Sequence, residues 1–214
     1  MKRVMCLHNL IFGTISLFIF TVSVAALIVS AELHHNTLTV EATDRENWTY
    51  VSLIEGEVVD INDAATSLKW DIGFKRTSVI VNGGVSGPGK SSVLALEDTS
   101  FEDILEAPVG DYVSDTEEIA TIARGDGWYT YTGPPNHWIL PNEIVYVLQT
   151  ATGDFAKLRF TGYYENNDTK EGSGNIGIEY VMQDDGSRNF IKSEPTDVRA
   201  KQKLTTTWAD IKQE

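Results

Sequence analysis

The clearest pattern in the chain is an alternation of apolar and polar side chains near its centre. In the run KWDIGFK, residues 69–75, every second side chain is large and apolar. This period of two is typical of a strand with one buried face, and it predicts a strand over Trp70–Arg76. The next run, Ser78–Asn82, is apolar and β-branched at almost every position, which favours a more deeply buried strand. A loop rich in turn-forming residues follows, with Gly83, Gly84, Gly87 and Gly89 around Pro88.

The same kind of pattern predicts three further β-hairpins. They pair Trp48–Ile54 with Glu57–Ile61, Glu143–Thr150 with Asp154–Phe160, and Ile176–Gln183 with Arg188–Lys192. The polar segment Glu165–Asn175 is predicted as a loop, and Thr37–Val40 as a short lead-in strand. Two runs favour a short helix instead, Asn62–Leu68 and Phe101–Ala107, and the second is stopped by Pro108.

Together these elements predict an all-β chain with one or two short helices. We expect one domain over about residues 38–192, followed by a charged tail at 193–214, and the sequence shows no convincing internal repeat. Apolar strand positions make up the expected core: Trp70, Ile72, Phe74, Ile80, Tyr146, Leu148, Leu158 and Phe160.

The first 31 residues resemble an export signal. Lys2 and Arg3 precede an apolar run over residues 10–29, and Val29-Ser30-Ala31 is a small-residue cleavage site. We therefore predict a signal peptide at 1–31 and an extracytoplasmic location, either periplasmic, on the cell surface or secreted. The apolar run is also long enough to span a bilayer, so an uncleaved membrane anchor is the alternative.

Composition and charge narrow the possible functions. The chain has 31 acidic residues against 17 lysines and arginines, which argues against nucleic acid or anionic lipid as a partner. Its single cysteine, Cys6, precedes the cleavage site, so a processed chain has neither disulfides nor a cysteine nucleophile. The remaining histidines form no recognisable triad with serine or cysteine, and we do not expect an enzyme.

The glycine-rich loop matches a nucleotide-binding motif. Residues Gly84–Ser91 fit the phosphate-loop pattern G-x-x-x-x-G-K-[ST]. That motif needs a helix directly after the loop, because the helix N-terminus helps to bind the phosphates. Residues 91–96, SSVLAL, favour a strand, so we predict a structural turn and no bound nucleotide.

Four segments, in this order, resemble the HmuY family of bacterial haem-binding proteins. The central one combines WDIGFKR at 70–76 with VNGGVSGPGK at 81–90. It is preceded by Trp48–Leu53 with the sequence GEVV at 56–59, and followed by the hairpin at 142–157 and by FTGYY at 160–164. The resemblance covers about residues 47–180 and implies an exported all-β protein that captures haem for iron acquisition.

The resemblance also implies where haem ligands would lie. The best-known members use two histidines, one between the glycine loop and the late hairpin and one just after the aromatic strand. Residues 98–127 contain neither histidine nor methionine, and Gly133 stands where the second histidine is expected. His137, four residues further on, is the first candidate ligand, and Met182 is the second.

Aromatic residues around His137 are the candidate pocket. Trp128, Tyr129, Tyr131 and Trp138 could line a site for haem or another flat apolar ligand, or form a core strand and a rigid loop. Capture of haem would make an outer-membrane receptor a further partner. The alternative is a family member that has lost haem ligation and serves as an extracytoplasmic binding or structural module.

Overall fold

The computed structural model describes residues 33–123 and 127–191, and strands dominate it. In chain order the strands are β1 (Leu33–Glu41), β2 (Thr49–Ser52), β3 (Glu57–Val59), β4 (Ile72–Lys75), β5 (Ser78–Val81), β6 (Ser92–Leu96), β7 (Tyr129–Tyr131), β8 (Ile139–Pro141), β9 (Val145–Gln149), β10 (Phe155–Asn166) and β11 (Glu171–Gln183). One 3₁₀ turn, Thr121–Ala123, is the single helical element of the described residues. The prediction of a β-dominated chain is confirmed.

Two antiparallel sheets enclose the main core. One has five strands in the order β1-β11-β10-β9-β6, and the other has four in the order β3-β2-β4-β5. Apolar side chains from both sheets meet between them; the ring of Phe74 on β4 lies edge-on to that of Phe160 on β10, 6.4 Å away. The hydroxyl of Tyr180 on β11 donates to the carbonyl of Leu53, 2.9 Å away, which joins the sheets by a buried hydrogen bond.

A second apolar cluster covers the outer face of the five-stranded sheet. Val145 and Val147 of β9 point outward into it, while Tyr146 and Leu148 point into the main core. Phe101 and Ile104 cover this face. The five-stranded sheet is therefore apolar on both sides.

The helix predicted at Phe101–Ala107 does not form, because its backbone bonds elsewhere. The buried Lys157 ammonium donates to the carbonyls of Phe101, 2.6 Å away, and Ile104, 2.9 Å away. Leu105 and Ala107 exchange backbone hydrogen bonds with Phe190 and Arg188. The run Asn62–Leu68 likewise makes only a turn, in which Asp63 accepts from the backbone of Ala65.

The last part of the fold differs from the sequence prediction. Glu165–Asn175 is not a loop: β10 and β11 continue through it and pair as one long hairpin around Asn167–Lys170. The predicted strand Arg188–Lys192 is also wrong, since its only described pairing is a single bridge between Asn189 and Glu106. The outer part of the hairpin has exposed polar side chains on both faces, so the sequence shows no apolar alternation there.

Buried polar side chains hold the glycine-rich loop against the sheets. The Asp71 carboxylate accepts from the amides of Leu53, 2.8 Å away, and Ala151, 2.9 Å away. The Asn82 side chain accepts from the Gly89 amide at 3.0 Å and donates to the Trp70 carbonyl at 2.7 Å. Asn82 thus fixes the loop directly, while Asp71 joins the segments beside it.

Two glycines of this loop have no room for a side chain. A Cβ on Gly84, which has a φ of 63°, would lie 2.0 Å from the carbonyl oxygen of Asp115. A Cβ on Gly83 would lie equally close to that of Ser91. The loop packs as a tight backbone crossing that larger residues would disrupt.

One predicted core residue lies elsewhere. Seven of the eight expected core side chains are buried, but Ile80 is half-exposed, and its neighbours Val79 and Val81 fill the core instead. Strand β5 has one buried face, so the continuous apolar run did not mean burial on both sides.

The proposed signal peptide and the tail from residue 193 lie outside the described residues. Within residues 33–123 and 127–191, no helix is long and apolar enough to cross a membrane.

Candidate functional site

The aromatic strand and the proline loop form a two-stranded arm. Strand β7 pairs with β8, with Tyr129 opposite Pro141 and Tyr131 opposite Ile139. Tyr129 and Ile139 pack against the main core, and the Ile139 amide donates to the Tyr164 hydroxyl on β10 at 2.9 Å. Since Tyr129 and Tyr131 are two residues apart, both side chains lie on the face of the arm that turns toward the core.

His137 lies in the loop between β7 and β8. Its ring Nδ1 is hydrogen-bonded to the Tyr131 hydroxyl, and the two rings are 5.7 Å apart. Its backbone φ of 54° is positive, and its amide donates to the Gly133 carbonyl at 2.8 Å. When Nδ1 carries the proton and donates to the tyrosine oxygen, Nε2 keeps its lone pair for a metal ion.

Trp128 lies deeper than the rest of the predicted pocket. It is buried in the main core, and its ring stacks on Phe160 at 4.5 Å and 22°. Its indole N–H donates to the Thr77 carbonyl at 2.8 Å. Trp138 and Tyr131 remain exposed, at 38% and 52% of their surface. The structure thus places Trp128 as the floor beneath the arm.

A cleft of about 570 Å³ opens beside Trp128 and Tyr129. We call it the aromatic cleft; its lining is Trp48, Lys75, Thr77, Ser78, Val79, Ile80, Ala120, Ala123, Gly127, Trp128 and Tyr129. The Lys75 ammonium lies 4.6 Å from the centre of the Trp48 ring, at the side of the cleft. Such a volume and apolar lining are typical of small-molecule sites.

Met182 is not brought close to His137. It is buried on β11, opposite Ala156 of β10, whereas the arm is bonded to Tyr164 of the same strand. Eight residues of strand separate Ala156 from Tyr164, a length of about 25 Å. The two side chains therefore lie too far apart to hold one metal ion together.

A second cleft, also of about 570 Å³, lies where residues 98–102 and 141–145 meet β10. We call it the acidic cleft; it is lined by Asp98, Thr99, Ser100, Phe101, Glu102, Pro141, Asn142, Glu143, Ile144, Val145, Arg159 and Phe160. Arg159, the one cation of its described lining, already pairs with Glu179 at 2.8 Å and Glu102 at 3.3 Å. The rest of its charge is negative.

The phosphate-loop match lacks the helix and the free backbone amides that bind phosphate in that motif. A strand, β6, follows Ser91 where the motif needs a helix. The amides of Gly89, Lys90 and Ser91 donate to Asn82 or Ala151, so they are already bonded within the protein. These contacts support the prediction that the loop binds no nucleotide.

Sequence reasoning missed two members of the aromatic cleft, Trp48 and Lys75. Strand β2 pairs with β4 so that Thr49 lies opposite Phe74, and this brings Trp48 next to Lys75. Nothing in the sequence reveals that register. Among the described residues, no group of three or more histidine, cysteine, aspartate or glutamate side chains is placed to hold a metal ion.

Comparison with known proteins identifies the class to which this fold belongs. Three solved structures resemble it: the apo HmuY analogue of Tannerella forsythia (21% identity, TM-score 0.54, 72% of this chain and 97% of that one), an HmuY-like protein of Bacteroides vulgatus (22%, 0.50, 69% and 91%) and apo PinO of Porphyromonas gingivitis (18%, 0.50, 71% and 97%). At these identities the likeness establishes the fold. No curated protein matches the chain.

The family itself is identified from the sequence model. The model described as HmuY protein matches residues 44–180, well over half of the chain. The chain therefore belongs to the HmuY family, as the four motif segments indicated.

Proposed function

We propose that this protein binds haem or a related porphyrin outside the cytoplasm, in the aromatic cleft and beneath the β7–β8 arm. The observation that carries the proposal is that the arm beside the cleft also carries a histidine, His137, in its loop. Tyr129 lines the cleft, and Tyr131, two residues further along the arm, is bonded to His137. The family supports it, and the Bacteroides vulgatus relative is itself named as a candidate haem-binding protein.

The charges of the two clefts favour the aromatic one. Haem is a flat apolar ring with two anionic propionate groups. The aromatic cleft offers the Trp48 and Tyr129 rings and the Lys75 ammonium, and no carboxylate belongs to its described lining. The acidic cleft presents Asp98, Glu102 and Glu143, which would repel the propionates. The residues of the aromatic cleft thus fit a porphyrin, and those of the acidic cleft do not.

His137 is the residue that we assign to the iron. If haem is bound, the His137 imidazole would hold its iron through a ring nitrogen. The Tyr131 hydroxyl orients the imidazole of His137 through Nδ1, which leaves Nε2 for the metal. The Tyr129 phenol is a second oxygen donor that lines the cleft.

Haem titration tests the assignment. We expect wild-type protein to give a shifted Soret band, and His137→Ala to weaken haem affinity at least about tenfold, a loss of about 1.4 kcal/mol. The control is His35→Ala, because His35 is exposed on β1 and bonded to Glu179 at 3.0 Å. Equal spectra and affinities for wild type and His137→Ala would remove His137 as a ligand. Absence of binding in wild type would reject the function.

A second candidate function is an extracytoplasmic module that binds a different ligand after losing haem ligation. One observation favours it: the described residues lining the two clefts include no histidine and no methionine. Titration with metal-free protoporphyrin separates the possibilities. Equal affinity for haem and protoporphyrin would show that the cleft recognises the flat ring without an iron ligand.

The proposed location outside the cytoplasm depends on processing after Ala31. We expect N-terminal sequencing of the protein from cells to begin at Glu32, because residues 29–31 form the small-residue site behind the apolar run. A sequence that begins at Met1, with the protein in the membrane fraction, would show an uncleaved anchor instead. In either arrangement an outer-membrane receptor is the partner to which captured haem would pass.

A further inference from the structure

Three side chains of the aromatic cleft lie in one row across the four-stranded sheet. Thr49 of β2 pairs with Phe74 of β4, so the residues next to them, Trp48 and Lys75, are neighbours. Lys75 pairs in turn with Ser78 of β5. Since Phe74 points into the main core, Lys75 points to the outer face of the sheet. We propose that the row of Trp48, Lys75 and Ser78 is a carboxylate-binding subsite of the aromatic cleft.

The Lys75 ammonium is held in position, but its charge has no partner. It lies 4.6 Å from the centre of the Trp48 ring. The face of an indole ring attracts a cation, and this attraction restrains the flexible lysine chain. The ring leaves the charge itself uncompensated, and no ion pair within residues 33–123 and 127–191 includes Lys75. The ammonium is therefore available to an anionic ligand.

Two other basic side chains show the contrast, because both already have partners. Arg76 donates to the carbonyl of Ser173 at 2.9 Å and to its hydroxyl at 3.0 Å. Arg159 of the acidic cleft pairs with Glu179 at 2.8 Å. Lys75 is the one basic residue in the described lining of the aromatic cleft, and that lining includes no carboxylate. A carboxylate that enters this cleft thus meets a single positive charge and no fixed negative one.

Ser78 adds a hydroxyl donor beside the ammonium. Directly opposed residues on neighbouring strands have Cβ atoms about 4.5–5.5 Å apart, so Ser78 and Lys75 can reach the two oxygens of one carboxylate. The Thr77 carbonyl, an acceptor that would repel such a group, already accepts from the Trp128 indole at 2.8 Å. Hydrogen bonds from a cation to a carboxylate are stronger than neutral ones. The row therefore favours a carboxylate over a neutral polar group.

The rest of the cleft sets the ligand class as a flat ring that carries a carboxylate. The Trp48 and Tyr129 rings and the side chains of Val79 and Ile80 line it. The inference rests on the proposed function only for the identity of the ring, since a porphyrin with propionates is one member of this class. The chain has a net charge of −14, so its overall field opposes any anion. A preference for an acid over its neutral ester would therefore come from a local cation.

A fluorescent aromatic acid tests the subsite without a porphyrin. The probes are pyrenebutyrate and its methyl ester, titrated into the exported protein and followed by pyrene fluorescence. We expect wild type to bind the acid at least about tenfold more tightly than the ester, and added salt to weaken this preference. Lys75→Met should bind the two equally, with the affinity for the ester unchanged, whereas Lys75→Arg should keep the preference. The matched control is Lys90→Met, which removes an exposed lysine of the glycine-rich loop and should also keep it.

The serine of the row should contribute less than the lysine. Ser78→Ala should lower the preference for the acid about threefold, because it removes one hydrogen bond and no charge. Equal affinity of wild type for acid and ester would overturn the proposal, as would no binding of the acid or a preference that persists in Lys75→Met. A protein that selects pyrenebutyrate but binds no haem would retain the subsite and reject the proposed function. One that binds haem without this selectivity would do the reverse.

Discussion

Replacing Asp71 with alanine is expected to lower the free energy of unfolding by about 2–6 kcal/mol. The buried carboxylate accepts from the amides of Leu53 and Ala151, which belong to segments far apart in the chain. Alanine leaves both amides buried without an acceptor, and each unsatisfied donor costs about 1–3 kcal/mol. Urea denaturation followed by tryptophan fluorescence measures the change.

The matched control for Asp71 is Asp60→Ala. Asp60 is exposed between β3 and the Asp63 turn, so its replacement should change stability by less than about 0.5 kcal/mol. Comparable losses for the two variants would mean that acidic charge in general, rather than the two buried hydrogen bonds, stabilises the fold.

Asp71 also makes the stability of the fold depend on pH. Burial raises the pKa of Asp71 above its ordinary value of 3.8, although the amides of Leu53 and Ala151 oppose this rise. Between 3.8 and the raised pKa the folded state holds more protons than the unfolded state, so stability falls as pH increases. The advantage of wild type over Asp71→Ala should be largest below pH 3.8 and shrink as pH rises through the folded pKa. An advantage that grew over this range would contradict the assignment.

Replacing Phe74 with alanine is expected to cost about 3–5 kcal/mol. The side chain is fully buried between the sheets, where its ring lies edge-on to Phe160. Its loss leaves a cavity that neighbours from two sheets cannot fill without moving their strands. The measurement is the same denaturation series.

Ile80→Ala is the control for Phe74. Ile80 lies on the adjacent strand β5 but is only half-buried, so its truncation should cost clearly less. A loss below about 1 kcal/mol for Phe74→Ala, or a larger one for Ile80→Ala, would mean that the buried faces of β4 and β5 are the reverse of those described.

The hairpins that the sequence predicted correctly have buried apolar side chains along their strands and short turns. In β4, β9 and β10 successive side chains point alternately into the main core and away from it, and the sequence records that alternation directly. The outer half of the β10–β11 hairpin was missed because both of its faces are polar. Its strand structure follows from pairing between the two strands, which leaves no apolar pattern.

The Phe101–Ala107 segment was predicted wrongly for a different reason. Its spacing of apolar and acidic residues suits a helix, yet Lys157 takes two of its carbonyls and the 188–190 segment pairs with its end. Both partners are more than 50 residues away in the chain. Local propensity is a weak preference, and these distant hydrogen bonds override it.

The candidate site, too, was predictable from the sequence only in part. The sequence by itself determined the family, the aromatic strand and the one histidine of its loop, because these are properties of residue type and order. Tertiary structure alone decided that Trp128 turns into the core, that Met182 lies at the far end of the hairpin, and that Trp48 and Lys75 join the aromatic cleft. Those outcomes depend on strand register and sheet packing, which are set by contacts between residues distant in the chain.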